Sequence, residues 1–227
     1  MSHPRSLPVS ETVIVDYDAG NLRSVQRACA EVGLAAVISS DPAHLARAER
    51  IIFPGVGQAG SAMATLARTG LGEALRRRLA DGVPVLGICL GLQISLSHSE
   101  EGDTPTLGLV PGETRRFQFA DPTLKVPHMG WNSITVTRAH PVLADLHEDD
   151  AFYFVHSYYT APADPQVVLA TATYEQPFCC AVGQDNYVGV QFHTEKSGRA
   201  GLALLARFAA WDGRFRPLAP AQEGRAC

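Results

Sequence analysis

The chain has 227 residues, of which 46% are hydrophobic, 19% charged and 7% aromatic, and its formal net charge is −4 at pH 7. A chain of that length fits one large domain or two small ones and buries about 70% of its unfolded surface, enough for a core without disulfides or metal. No basic tract stands out, which argues against nucleic-acid and membrane-surface binding, and the composition suits neither disorder nor a repeat array.

After a polar leader, Thr12-Val13-Ile14-Val15 is a β-branched run ending at Asp16, followed by turn chemistry in Asp18-Ala19-Gly20-Asn21. Leu22, Val25, Gln26, Cys29 and Val32 recur at helical spacing, and Gly33 supplies the stop. Ala36-Val37-Ile38 reads as a second strand, and Asp41-Pro42 opens a short helix. Ile51-Ile52-Phe53 is a third strand, broken at Pro54-Gly55. Residues 61–80 read as a helix with interruptions at Gly70 and Gly72, and residues 83–88 as a fourth strand with a helix running on from Leu90. Continuously apolar strands alternating with helices imply a parallel, doubly wound sheet buried on both faces. Beyond Gly112, segments near 113–118, 133–137, 152–156, 167–173, 178–183 and 187–192 look strand-like, and residues 200–211 look helical. The expected fold is therefore three-layer α/β, mostly parallel, with an added antiparallel layer in the second half. No linker divides the chain.

Five cysteines, at 29, 89, 179, 180 and 227, make an odd count without a Cys-x-x-Cys pair, which suits neither a zinc knuckle nor a disulfide framework. The first dozen residues contain no apolar run, so no signal peptide is expected. Residues 83–92, the most apolar stretch, fall far below the roughly 20 needed to span a bilayer. These features point to a reducing, cytoplasmic setting.

Leu86-Gly87-Ile88-Cys89-Leu90-Gly91-Leu92-Gln93 places Cys89 at a strand-to-helix junction with glycine two residues away on each side. A side chain there is lifted out of the sheet on a tight turn, the nucleophile-elbow arrangement. The following helix start lowers a thiol pKa and offers the Leu90 N–H to a developing oxyanion. On this segment alone, Cys89 reads equally well as a small buried core residue. Cys29, Cys179 and Cys180 read as core.

A thiol nucleophile needs a base, and the base needs an orienting group. His193, in Gln191-Phe192-His193-Thr194-Glu195, follows a strand at the end where open α/β sheets hold ligands. In an extended segment His193 and Glu195 project to one side. His156 is a rival base without an acid at i+2 and reads better as a structural or substrate-lining residue. His128 is placed in a loop after Pro127, and His3, His44, His98, His140 and His147 at the surface.

Gly-x-Cys-x-Gly-x-Gln followed by Gln-Phe-His-x-Glu resembles the class I glutamine amidotransferases, in which a Cys-His-Glu triad hydrolyses glutamine to glutamate and ammonia. Asp16-Tyr17-Asp18-Ala19-Gly20-Asn21-Leu22-Arg23-Ser24, Phe53-Pro54-Gly55-Val56-Gly57 and Pro127-His128-Met129-Gly130-Trp131-Asn132 look like the member that serves imidazole formation in histidine biosynthesis. The resemblance implies Cys89 as nucleophile, His193 as proton shuttle and Glu195 as its orienter. It implies that Pro54-Gly55-Val56-Gly57 is an oxyanion strand approaching the substrate, with a Gly55 or Val56 N–H joining that of Leu90, and a substrate contact at Gln93. It implies no metal or organic cofactor. Ammonia would pass to a (βα)₈-barrel cyclase in a heterodimer, met by Met129, Trp131, Tyr153 and Lys196. The motif-bearing domain would span 12–212, leaving a leader (1–11) and a tail (213–227). Two residues depart from the family pattern. Asp18 stands where glycine is usual, and Thr194 replaces a usual proline, which loosens the backbone between His193 and Glu195. The alternatives are a glutaminase subunit of another class I amidotransferase and a non-catalytic cysteine-elbow redox sensor.

Overall fold

The computed structural model describes residues 11–147 and 149–215, so most of the expected leader and tail, with His3 and Cys227, lies outside the described residues. The first half alternates as the apolar pattern predicts. β1 (Thr12–Val15), α1 (Leu22–Glu31), β2 (Ala36–Ser39), α2 (Pro42–Leu45), β3 (Arg50–Gly55), α3 (Ala59–Thr69), α4 (Leu71–Ala80), β4 (Val85–Cys89) and α5 (Leu90–Gln93) follow in turn. The second half holds β5 (His98–Ser99), β6 (Thr104–Pro105), β7 (Gly112–Arg116), β8 (His128–Ser133), β9 (Thr135–Val136), β10 (Ala151–His156) and β11 (Tyr158–Pro162). β12 (Val168–Tyr174), β13 (Gln176–Gln184), β14 (Tyr187–Val190) and α6 (Gly198–Ala210) complete it.

β2, β1, β3, β4 and β14 form a parallel sheet in that order. The chain steps from β1 outward to β2, then back across β1 to β3 and β4. Right-handed crossovers therefore put α1 on one face and α2, α3 and α4 on the other. α6 packs on α1 and completes the first face. The antiparallel part comes in two pieces. β13 turns back from β14 through Asp185-Asn186 and carries the sheet on through β11 and β7, while β8 and β10 form a separate ribbon. Phe152 of that ribbon stacks on Phe192 just beyond β14, ring centroids 4.1 Å apart, joining ribbon to sheet.

Several local expectations need correction. β3 does not break at Pro54-Gly55, which pair in register with Ile88 and Cys89. β1 pairs only as far as Ile52, so the end of β3 has β4 alone as its neighbour, and such edge-like positions tolerate proline. β2 is the sheet's outer strand and is half-exposed rather than covered on both faces. α5 is a single turn, because Thr114 Oγ1 and the Leu107 N–H take the carbonyls of Gln93 and Ile94. His128 opens β8 and is buried instead of lying in a loop. Of the histidines read as surface residues, His147 is exposed, His44 and His98 are half-buried, and His140 is buried against Trp211 and Phe215.

Arg50 fastens α6 to the start of β3. Its Nε donates to the Phe208 carbonyl at 3.0 Å and its Nη2 to that of Trp211 at 2.6 Å, placing a cation at the negative end of the helix. Arg50→Met is expected to lower unfolding stability by about 2 kcal/mol, the scale of hydrogen bonds from a charged donor, as measured by urea denaturation.

Candidate active site

Cys89 ends β4 at φ 54°, ψ −111°, a conformation that side-chain-bearing residues rarely adopt. Its neighbours leave no alternative to glycine on either side. A Cβ on Gly87 would lie 2.3 Å from Tyr187 Oη, and one on Gly91 would lie 1.8 Å from the Phe53 carbonyl oxygen. The elbow therefore forms because strand and helix approach within backbone contact. Cys89 is 7% exposed, and its Sγ lies 3.7 Å from Gln191 Nε2.

His193 and Glu195 meet as expected, although the backbone reason differs. The segment is not extended: residues 194–196 form a 3₁₀ turn that starts from His193. The turn brings Glu195 Oε1 to 2.8 Å from His193 Nδ1, with the carboxylate side chain fully buried. Asn21 Nδ2 also donates to Glu195 Oε1. Nδ1–H donation to the carboxylate leaves Nε2 as the nitrogen free for proton transfer. Burial opposes charge on His193, but the sulfur of Cys89 and the carboxylate of Glu195 outweigh it and hold its pKa well above the ordinary value.

Cys89 and His193 line one cleft of about 310 Å³, together with Val56, Gly57, Leu90 and Gln93. Gly57 is at φ 105°, which favours glycine. Gly55 does not line the cleft. It lies beneath, where a Cβ would fall 1.9 Å from Tyr17 Oη and 3.1 Å from Leu90 Cβ. Gln93 uses its amide nitrogen within the protein, donating to the Tyr158 carbonyl at 2.8 Å and Gln191 Oε1 at 3.1 Å. Sequence reasoning did not single out Asn21, Gln191 or Glu101. Asn21 and Gln191 lie inside the motifs at 16–24 and 191–195, whereas nothing local marks Glu101. Its carboxylate accepts the Ala59 N–H at 2.7 Å, and the residue lines the cleft.

A family model described as glutamine amidotransferase class-I matches residues 13–210. The chain belongs to this family. It is 51% identical over 203 residues to the imidazole glycerol phosphate synthase subunit HisH of Nitratidesulfovibrio vulgaris, covering 87% of this chain and 95% of that protein. It is 46% identical to the subunit of the same name from Neisseria meningitidis serogroup B, covering 88% and 100%. A crystal structure of a glutamine amidotransferase superposes with a TM-score of 0.66 at 19% identity, covering 88% of this chain and 99% of that one. The PurLQS structure from Thermotoga maritima gives 0.67 at 17%, covering 87% and 96%; at these identities the likeness shows the fold alone.

In this amidotransferase His156 lines the cleft with both ring nitrogens engaged. Nδ1 donates to the Tyr158 carbonyl at 2.7 Å, so Nε2 accepts from His128 Nδ1 at 3.1 Å. Asp18 has a left-handed backbone (φ 66°) and accepts from Arg68 at 3.4 Å. Met129 and Trp131 are 63% and 60% exposed. Trp131 pairs across the ribbon with Tyr153, and Lys196 Nζ sits 5.6 Å from the Tyr153 ring centroid, so the four residues named as an interface form one surface patch. Among the described residues no helix is long and apolar enough to cross a membrane, and no group of three or more His, Cys, Asp or Glu side chains is arranged to hold a metal.

Burial pushes the His156 pKa down to about 3. The folded state thus binds that proton less readily than the unfolded state, and stability present above about pH 6.5 is lost as pH falls toward 3, by up to about 1.4 kcal/mol per pH unit. Urea titrations across this range are expected to show a shallower slope for His156→Gln than for the parent chain.

Proposed function

We propose that this chain is the glutaminase subunit of an imidazole glycerol phosphate synthase, releasing ammonia from glutamine for a cyclase partner in histidine biosynthesis, with residues 12–212 as one amidotransferase domain. The observation that carries the reading is the convergence of the Cys89 elbow with the His193–Glu195 pair in one cleft. Cys89 attacks the side-chain carboxamide carbon as its thiolate, for which an imidazolium at His193 is the counterion. Charge on the carbonyl oxygen meets the Leu90 N–H and N–H groups of the Val56-Gly57 loop. His193 Nε2 gives its proton to the leaving nitrogen, the C–N bond breaks, and ammonia departs from a glutamyl thioester. Water then adds to the thioester, losing a proton to His193, and glutamate leaves as the thiol is restored. Glu195 holds the Nδ1–H tautomer throughout. All the groups are protein side chains and backbone amides, so the proposed mechanism uses no cofactor.

Ammonia is mostly protonated near neutral pH and then has no lone pair for attack, so it must reach its acceptor without equilibrating with solvent. The partner is a (βα)₈-barrel cyclase forming a heterodimer, with Met129, Trp131, Tyr153 and Lys196 as its docking patch. Two hydrogen bonds support this placement. The His193 N–H donates to the Tyr153 carbonyl at 2.9 Å, and the Tyr153 N–H donates to Ser197 Oγ at 3.0 Å. The patch is thus joined directly to the segment carrying the base. The free, buried thiols of Cys29, Cys179 and Cys180 suit a reducing cytoplasm. A redox-sensor role for Cys89 would leave the Asn21–Glu195–His193 chain without a purpose.

Cys89→Ala is expected to abolish glutamine-dependent synthesis while ammonium salts still support the cyclase reaction. Glutamine remaining an effective donor in that variant would remove Cys89 from the mechanism. Glutamine turnover by the isolated chain is expected to be low and to rise when the cyclase and its ligand bind, since the oxyanion donors sit on a glycine-flanked loop. Steady-state glutamate release with and without partner measures this, and equal rates count against it.

A further inference from the structure

Asn21 sits at the cap of α1 with a left-handed backbone (φ 71°, ψ 6°). An asparagine there ordinarily turns its side chain to the helix's own N–H groups, but this one makes no such bond. Its Nδ2 donates instead to Glu195 Oε1, 174 positions away in sequence. The same oxygen accepts His193 Nδ1–H.

We infer that Asn21 is a positioning residue for the reaction, fixing Glu195 so that its Oε1 stays in line with His193; the inference rests on the glutaminase reading above. A carboxylate turns easily about its terminal torsion, where preferences are broad and two-fold. With His193 as sole donor, the buried Glu195 could swing and carry the imidazole with it. The second donor, from a different element, removes that freedom. The restraint matters because Thr194 does not lock φ ahead of Glu195 as a proline ring would. The loop that bears Asn21 also touches the oxyanion side of the cleft. A Cβ on Gly20 would lie 2.9 Å from Val56 Cγ2, and Tyr17 Oη lies against Gly55. One loop, residues 16–21, thus keeps the acid of the triad in register with the oxyanion loop.

Asn21→Gly removes the donor and keeps the left-handed backbone without steric cost. Asn21→Asp keeps the shape and puts a second carboxylate against Glu195. With the cyclase bound, both variants are expected to lose glutaminase kcat on the order of 10- to 100-fold, the effect of displacing a catalytic group by about 1 Å, with KM nearly unchanged. Ammonia-dependent synthesis should be unaffected. The His193 Nδ1 proton resonance should move upfield as its bond to Glu195 weakens. Parent-chain kcat in Asn21→Gly overturns the inference, and so does a fall in kcat with the Nδ1 resonance unmoved, which is what a merely structural role would give. Failure of the parent chain itself to hydrolyse glutamine in the same assay overturns the glutaminase reading instead.

Discussion

The geometry of the cleft depends on one close approach, the contact of α5 with β3 at Phe53. A carbonyl oxygen of β3 occupies the space a side chain would need at position 91, and a tyrosine hydroxyl occupies the space at position 87. With both flanks reduced to backbone, β4 can end in a turn that forces the next residue into a conformation costing on the order of 1–3 kcal/mol. That residue is Cys89. The strain is sustained by a sheet whose central strands are buried along their length, and it aims the sulfur out of the sheet, toward the face where β14 delivers the histidine.

The acid–base side is built differently. Nothing in the backbone of residues 191–195 is strained to the same degree, and its order comes from hydrogen bonds. Ser197 Oγ donates to the His193 carbonyl at 2.6 Å, the His193 N–H is held by Tyr153, and Glu195 is held by Asn21. A buried carboxylate is costly unless its charge is shared by donors and a nearby cation. Here the sharing also raises the basicity of the imidazole. Nucleophile and base are thus set by separate means: steric constraint for the sulfur, polar satisfaction for the ring.

The parallel half of the fold was legible because its strands are short, apolar and punctuated by glycine, proline and aspartate in the right order. The elbow was legible for the same reason, since glycines at fixed spacing around a cysteine leave few structural explanations. Elsewhere tertiary context decided the outcome. Pro54 looks like a terminator, yet it is tolerated because β1 has already stopped pairing. His140 reads as a surface residue and His128 as a loop residue, yet aromatic neighbours and a partner histidine bury them. The contact of Glu101 with Ala59 and that of Asn21 with Glu195 join residues 42 and 174 positions apart, and no local pattern encodes them.

Helix α6 has a consequence of its own. Its first turn lies against the triad's 3₁₀ turn so closely that a Cβ on Gly201 would fall 1.9 Å from the Thr194 carbonyl oxygen, while Arg50 holds its far end. The helix behaves as a strut between the floor of the sheet and the acid–base turn. Fraying that released it would disarm the imidazole while the central strands stayed protected from hydrogen exchange. The working lifetime of the site then depends on the docking of this helix, through Leu204, Leu205 and Phe208, as well as on the sheet.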